Sequence, residues 1–404
     1  ELVGATRPDQ VNLERLYSKT YDPKKVMAFP VGINVDLKPQ IVVLREAGQG
    51  GHGSHAMLAG MTGTGKSVLL QGMVMSLALT NSPAHLNFVL ADFKGGASEL
   101  AKLQGLPHLA GFVTDLNPAM VERFRISLES EIRRRKELFD SAKETLGQPV
   151  ANIRTYNKLC PDQPLPHLVV LLDEFAFGLN INPNFRGTID TIAAQGRALG
   201  VHLVLSTQRA ADFDNKIRPN IDIRMSLRVA SREDSKTMFN RDEAYTRLTR
   251  PGQAYVQVGD NEVFEMFQAA RADVPYQPEG TANLELVENF AIYRVLPDGR
   301  RHSDPLYIHK PANKDEVKET KQESVISEAE ILVEHIQQYC TRVGYPPVRQ
   351  IALPPLPQAD DLPLPSLWAK EPVYGRWQDA SWSHDENCLQ YRLRLPLGMI
   401  DLPA

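Results

Sequence analysis

The stretch from Gly60 to Ser67 carries the clearest chemical signal in the chain. It reads Gly-Met-Thr-Gly-Thr-Gly-Lys-Ser and fits the phosphate-binding pattern G-x-x-x-x-G-K-[ST]. The glycines let successive backbone N–H groups point toward an anion, the lysine adds a charge for the β- and γ-phosphates, and the serine hydroxyl can ligate Mg²⁺. The pattern therefore predicts a nucleoside triphosphate site. Its predicted nucleotide-binding residues are Gly60, Met61, Thr62, Gly63, Thr64, Gly65, Lys66, Ser67 and Val68.

Two adjacent carboxylates, Asp173 and Glu174, follow the apolar run Pro166 to Leu172. Hydrolysis of a nucleoside triphosphate needs a carboxylate that holds Mg²⁺ through water and a base that orients the attacking water. We therefore predict that Asp173 and Ser67 hold the metal and that Glu174 is the catalytic base.

Further candidates lie at the ends of other predicted strands. Gln208 follows the strand that ends at Ser206 and can contact the γ-phosphate or the attacking water, although an ordinary turn residue would look the same. Asp92 and Lys94 either support the metal site or cap a helix. An arginine near a strand end can reach the γ-phosphate of a neighbouring subunit, or it can form an ordinary surface ion pair. The arginines in such positions are Arg197, Arg209, Arg224 and Arg228.

Short apolar strands alternate with helices, which predicts an α/β fold. The unbroken apolar run Pro166 to Leu172 fits a central strand of a mostly parallel, doubly wound sheet with helices on both faces. Ligands bind such sheets at the carboxyl ends of the strands, where the candidate residues lie. The predicted strands are Phe29–Asp36, Ile41–Leu44, His55–Ala59, His85–Ala91, Gly111–Thr114, Pro166–Glu174, Val201–Ser206, Ile223–Val229, Gln253–Val258 and Val263–Phe267. The main predicted helices are Val68–Leu79, Asn117–Ser141 and Asn184–Leu199.

Charge limits the range of partners. The formal net charge of -4 and the pI near 6.2 argue against a generally basic surface for nucleic acid. The cluster Arg133 to Lys136 can be read as a DNA contact. However, Glu129, Glu131 and Glu137 lie within pairing distance on the same predicted helix, so we favour a solvated helix face.

Cysteine usage and hydropathy add little chemistry. Cys160, Cys340 and Cys388 are far apart and form no C-x-x-C pair, which indicates reduced thiols and no metal site. No apolar run approaches the ~20 residues that a membrane span requires. The chain begins at Glu1 rather than at methionine, so we expect it to be part of a longer protein.

The composition divides the chain into four parts. Residues 1–27 form a polar lead-in and residues 28–275 form the nucleotide-binding domain. Residues 276–394 read as a linker region, with a charged, loop-like stretch over 304–323, an amphipathic helix over 325–343 and a proline-rich segment over 353–365. Leu395 to Leu402 echo Phe29 to Leu37 with one residue fewer, so residues 395–404 are predicted to be the start of a second ATPase domain.

With these residues in place, the chain resembles the FtsK/SpoIIIE family of ring-forming ATPases. The resemblance implies a RecA-like P-loop NTPase fold of the additional-strand, catalytic-glutamate class. Within the family the chain is most similar to the first ATPase domain of the EccC motors of type VII secretion. The residues that carry the resemblance are Gly60–Ser67, Asn87–Gly96, Leu106–Leu109, Leu172–Phe175, Gly196–Leu203, Ser206–Arg209, Arg250–Tyr255 and Phe267–Ala270.

The resemblance implies an enzyme that binds ATP with Mg²⁺ and hydrolyses it in a hexameric ring that threads a polymer through its pore. By this resemblance Arg224 is the arginine that acts across the subunit boundary. The implied cargo is a secreted protein, and the implied partners are membrane components of the secretion system and further ATPase domains in the same full-length chain. The implied location is the cytoplasmic face of a membrane, with anchoring segments outside this sequence.

Two other functions stay open at this point. One is a double-stranded DNA translocase of the FtsK/SpoIIIE type. The acidic net charge and the lack of a DNA-reading winged-helix tail in this sequence argue against it. The other is a nucleotide-locked regulatory domain, which a degenerate phosphate loop or a missing glutamate would indicate. The chain departs from the expected family pattern at residues 180–184, 240–242 and 291–310, which affects the details of partner and substrate.

Overall fold

The structure is a computed structural model. It describes residues 7–17, 26–94, 99–114, 117–214, 216–259, 263–276, 291–295, 301–308 and 326–351. The proline-rich segment 353–365 and the predicted start of a second domain at 395–404 lie outside these ranges.

The strands and helices of the described residues alternate along most of the chain. The strands are β1 (Ala28–Asn34), β2 (Pro39–Val43), β3 (Ala56–Ala59), β4 (Leu86–Asp92), β5 (Leu109–Val113), β6 (His167–Asp173), β7 (Val201–Thr207), β8 (Ile223–Leu227), β9 (Gln253–Val258), β10 (Val263–Ala269), β11 (Ala291–Val295) and β12 (Arg301–Ile308). The α-helices are α1 (Leu13–Leu16), α2 (Lys66–Thr80), α3 (Pro118–Leu146), α4 (Ile153–Leu159), α5 (Phe175–Ile181), α6 (Phe185–Leu199), α7 (Arg232–Phe239), α8 (Glu243–Thr246) and α9 (Glu328–Val343).

Ten of the strands form one sheet in the order β2-β1-β10-β9-β8-β3-β7-β6-β4-β5. The six strands from β8 to β5 are parallel, while β9, β10, β1 and β2 extend the sheet as an antiparallel wing. Strands β11 and β12 pair with each other in a separate antiparallel hairpin. The predicted mostly parallel α/β sheet is confirmed, and β7 is the additional strand between β3 and β6.

Apolar side chains cover both faces of the parallel part. Along β6, Val169 and Leu171 face one buried cluster, whereas Leu168, Val170 and Leu172 face the other. The first cluster includes residues of α2 and α9, and the second includes residues of α3 and α6. Because successive strand residues point to opposite faces, an uninterrupted apolar run is what a strand covered on both sides requires.

Helix α9 packs into the core beside the ten-stranded sheet although it follows residue 276 in the chain. Ile336 is fully buried in the cluster that contains α2, and Ala329 N donates to Ala272 O at 2.8 Å. The chain then continues along the edge strand β5, where Ile351 N donates to Ala110 O at 2.6 Å. Part of the region predicted as linker therefore contributes directly to the core and covers one edge of the sheet.

Several predicted boundaries are wrong for identifiable reasons. Helix α3 continues past Ser141 to Leu146, because the left-handed residue that ends it is Gly147, with φ of 64°. The helix predicted from residue 325 begins at Glu328, because the Ser327 side chain caps its first turn.

The stretch predicted to be loop-like from residue 304 is part of strand β12 as far as Ile308. The strand contains Pro305, a residue that is uncommon within sheets, and its pairing with β11 is not apparent from the sequence pattern. In the described residues, no helix is both long and apolar enough to cross a membrane.

Candidate nucleotide site

The phosphate loop joins β3 to α2 and bends at two glycines. Gly63 and Gly65 have φ angles of 81° and 96°, which glycine adopts without the strain that a side chain would cause. Helix α2 begins at Lys66 and has no side-chain cap. The first N–H groups of an α-helix have no partner within the helix, so those of α2 are available to an anion at its positive end.

The strands on either side of β3 hold the start of this loop. Gly60 N donates to Thr207 O at 3.3 Å, at the end of β7, and Met61 N donates to Arg228 O at 3.0 Å, just after β8. Thr64 closes the loop, since its hydroxyl donates to Met61 O at 2.7 Å. The loop conformation thus depends on both neighbouring strands.

Lys66 lies buried among acidic and hydroxyl groups from two other strands. Its Nζ donates to Asp173 Oδ1 and, at 3.1 Å, to Ser206 Oγ. The same Nζ lies 2.8 Å from Glu174 Oε1, an ion pair rather than an aligned hydrogen bond. The exposed fractions of the lysine, aspartate and glutamate side chains are 7%, 2% and 3%. One buried cation therefore faces two buried anions.

The residues predicted to hold Mg²⁺ fit that ion. The hydrogen bonds recorded for the Asp173 side chain all go to Oδ1, which accepts from Lys66, from Ser206 Oγ at 2.8 Å and from Glu174 N at 3.0 Å. Oδ2 is left for a metal-bound water, and Ser67 offers its hydroxyl from the half-buried first turn of α2. Within the described ranges no cluster of three or more His, Cys, Asp or Glu side chains forms a protein-only metal site. A Mg²⁺ that keeps several waters and binds phosphate suits such a sparse ligand set.

Glu174 occupies an unusual backbone position at the junction of β6 and α5. Its φ is 52°, in the left-handed region that residues with a side chain seldom adopt. Its Oε2 accepts from Gln208 N at 3.2 Å, and the Gln208 side chain accepts through Oε1 from Thr62 Oγ1 at 3.0 Å. Gln208 thus links the glutamate to the phosphate loop, and its role near the γ-phosphate stays a prediction.

Ser206 belongs to this site but is not among the residues that the sequence predicts. It is fully buried, and its hydroxyl donates to Asp173 while accepting from Lys66. Ser206 is one residue before the end of β7, and β7 lies between β3 and β6 in the sheet. Its position near a strand end could have indicated the site only if the strand order had been known.

Comparison with known proteins agrees with this geometry. The profile of the FtsK/SpoIIIE family matches residues 12–272, which is more than half of the chain. The chain belongs to the FtsK/SpoIIIE family. Together with the site geometry, this makes it a P-loop ATPase domain of that family.

Highly similar relatives come from type VII secretion systems. Type VII secretion system protein EssC of Staphylococcus aureus is 33% identical over 411 residues, covering 100% of this chain and 25% of that protein. ESX secretion system protein EccC of Geobacillus thermodenitrificans is 39% identical over 236 residues, covering 57% of this chain and 15% of that protein. The chain therefore spans about a quarter of the length of EssC.

A solved structure shows the same similarity. The cytoplasmic domain of the Thermomonospora curvata type VII secretion ATPase EccC matches with a TM-score of 0.68 at 28% identity, covering 88% of this chain and 35% of that one. The FtsK/SpoIIIE family assignment thus rests on sequence and fold together.

The candidate arginines of this FtsK/SpoIIIE domain occupy different places. Arg224 lies in the first half of β8, level with Met57 of β3, well before the phosphate loop. Arg228 follows β8 and is exposed beside the loop. Arg197 pairs with Glu46 at 3.1 Å on the surface. The role of Arg224 across a subunit boundary stays a prediction.

Asp92 lies at the same edge of the sheet as the catalytic candidates. It is level with Asp173 on the adjacent strand, and its Oδ1 accepts from Lys94 N at 2.9 Å. This contact closes a local turn after β4, and the two predicted roles, support of the metal site and capping of a helix, stay predictions.

The basic cluster on α3 is only partly a solvated face. Arg135 is 1% exposed and donates to Glu131 Oε1 at 2.7 Å, to Leu199 O at 2.8 Å and to Pro166 O at 2.9 Å. Arg134 pairs with the same glutamate. The expectation of a solvated face is wrong for Arg135, because its guanidinium donates hydrogen bonds to backbone carbonyls that lie between α3 and the sheet. Its guanidinium is not accessible to DNA.

Proposed function

We propose that this chain is the ATP-hydrolysing motor domain of a ring-forming translocase that drives protein export in a type VII secretion system. The observation that carries the proposal is the buried cluster in which Lys66 lies between Asp173 and Glu174. This cluster supports the proposal because its lysine can bind phosphate, its aspartate can hold a metal and its glutamate can act as the base, all at the carboxyl edge of the sheet.

The cluster corresponds to the arrangement of the site before ATP binds. Lys66 is held by the carboxylates, and the phosphates of incoming ATP compete for it. When the lysine turns to the β- and γ-phosphates, Glu174 loses its nearest cation and becomes a hydrogen-bond acceptor for the attacking water. Bound Mg²⁺ neutralises charge that develops on the phosphates. Asp173 and Ser67 would hold it.

Assembly and cargo complete the proposal. The domain works in a hexameric ring in which Arg224 of one subunit contacts the γ-phosphate held by the next. The cargo is a secreted protein, and further ATPase domains and a membrane anchor belong to the full-length protein at the cytoplasmic face. The similarity to EssC and EccC, both named as secretion proteins, supports these assignments.

The test separates ATP binding from turnover. Glu174→Gln keeps the size of the side chain but removes its charge, so ATP affinity should change less than about threefold. Steady-state phosphate release should fall by ~10²-fold or more, the scale of a lost general base. Glu137→Gln, an exposed glutamate on α3, is the matched control and should behave like wild type.

Three outcomes would change the assignment. Loss of binding and turnover together in Glu174→Gln would mean that the glutamate supports the fold of the site rather than the chemical step. No turnover in the wild type despite ATP binding would support a nucleotide-locked domain. Stimulation of wild-type turnover by double-stranded DNA would replace protein export with DNA translocation.

A further inference from the structure

Glu174 and Gln208, the catalytic candidates that serve the site of their own subunit, lie on one flank of the phosphate loop. Glu174 follows β6 and Gln208 follows β7, and both strands are on the same side of β3 in the sheet. If the proposed function holds, the γ-phosphate lies beside these residues. The α-phosphate and ribose must then extend toward the opposite flank, where β8 ends and β9 begins.

On that opposite flank, the turn formed by residues 249–253 packs directly against the phosphate loop. Gly252 N donates to Thr64 O at 2.8 Å, and Gly252 O accepts from Ala269 N at 2.8 Å. Pro251 O accepts from Gln268 Nε2 at 3.2 Å. The turn is therefore fixed both to the loop and to strand β10.

The close approach of turn and loop depends on glycine. Gly252 has φ of 77°, and a Cβ atom there would lie 2.4 Å from Gln268 Nε2. A Cβ atom on Gly65 would lie 3.3 Å from Gly252 N. A side chain at Gly252 would therefore strain the backbone and displace the Gln268 amide that holds Pro251 O.

The side chain of Gln253 sets the conformation of the turn. Its Oε1 accepts from Thr249 N and from Arg250 N, both at 3.0 Å. These two bonds hold the backbone of Arg250 two residues from the contact with the loop. Arg250 is exposed, and among the described residues its guanidinium forms no ion pair. The backbone of an exposed arginine that forms no ion pair with the described residues is thus held close to the phosphate loop.

We propose that Arg250 binds the α-phosphate and ribose end of the nucleotide held by its own subunit, and that the 249–253 turn positions it. The ligand class is a nucleoside di- or triphosphate. This assignment rests on the proposed ATPase function and deepens it, and it differs from that of Arg224, which acts on a neighbouring subunit. Arg250 is a binding residue and Gln253 is a positioning residue.

The contact predicts a specific pattern of affinities. ADP and ATPγS share the α-phosphate and ribose, so Arg250→Ala should weaken both by a similar factor, about tenfold for one lost charge-assisted hydrogen bond. The measurement is a titration of each nucleotide into the full chain by calorimetry, with Mg²⁺ present. Arg154→Ala removes an exposed arginine of α4 and is the control with wild-type affinities.

A second pair of variants tests the turn. Gln253→Met removes the acceptor for the two N–H groups and should weaken both nucleotides as Arg250→Ala does. Gln253→Glu keeps an acceptor oxygen and should restore most of the affinity at an equal melting temperature. A merely structural glutamine would instead change the melting temperature in parallel with the affinity.

The remaining outcomes each decide the question. Wild-type affinities in Arg250→Ala overturn the inference while leaving the ATPase assignment intact. Weakening of ATPγS alone also overturns it, because the arginine would then act at the γ-phosphate. Failure of the wild-type chain to bind either nucleotide would overturn the proposed function and this inference together.

Discussion

Replacing Lys66 with methionine should destabilise the protein in the absence of nucleotide. Methionine keeps the length and most of the apolar contacts of lysine but leaves Asp173 and Glu174 as two adjacent buried anions. Removing one partner of a buried ion pair costs ~3–5 kcal/mol. Urea unfolding at pH 7 should therefore give a free energy of unfolding about 3–5 kcal/mol below that of the wild type. The melting temperature at pH 7 should fall as well, by roughly 5–10 °C.

The double variant Lys66→Met/Glu174→Gln is the control. It leaves a single carboxylate, Asp173, which keeps its bonds to Ser206 Oγ and to the backbone N–H of residue 174. At least half of the lost stability should return. Equal stability of Lys66→Met and wild type, or no recovery in the double variant, would refute the buried-cluster reasoning.

Two further predictions concern assembly and acid stability. If Arg224 acts across a subunit boundary, ATPase activity per molecule should rise with protein concentration. Arg224→Ala should flatten that rise without changing ATP affinity. Wild-type activity that is independent of concentration would remove the basis for a shared site. Burial lowers the pKa of His202 to about 4 and that of His55 to about 3, so the unfolded chain takes up protons that the folded protein excludes. Stability should therefore be full above pH 6.5 and fall toward pH 4, by up to about 1.4 kcal/mol per pH unit for each histidine. Urea unfolding across this range gives the slope of the free energy of unfolding against pH. In His202→Gln this slope should be lower by the equivalent of about one proton, and an unchanged slope would contradict the low pKa of His202.

The sequence alone was sufficient for the parts of the site that are local in the chain. The phosphate loop is predictable because its conformation depends on glycines within a few residues of one another, Gly63 and Gly65 among them. The central strand β6 is predictable because a strand covered on both faces needs an uninterrupted apolar run. The adjacent acids at its end follow from the chemistry that a triphosphate loop requires.

Only the tertiary structure decided which of these residues meet. Lys66 and Asp173 are 107 residues apart, and Lys66 and Ser206 are 140 apart, so their contact depends on the order β3-β7-β6 in the sheet. Sequence patterns record the period of one strand but not its neighbours. Ser206 is therefore not recognisable from the sequence as a partner of the lysine.

The same limit explains the buried arginine and the turn beside the loop. Arg135 reads as one of four consecutive cations on a helix, and its burial depends on carbonyls of Pro166 and Leu199 that the fold brings to it. Likewise, Gly252 reads as an ordinary turn glycine until the sheet places its N–H 2.8 Å from Thr64 O. Local propensity determined the elements of this protein, whereas the contacts that build its site depend on the packing of distant segments.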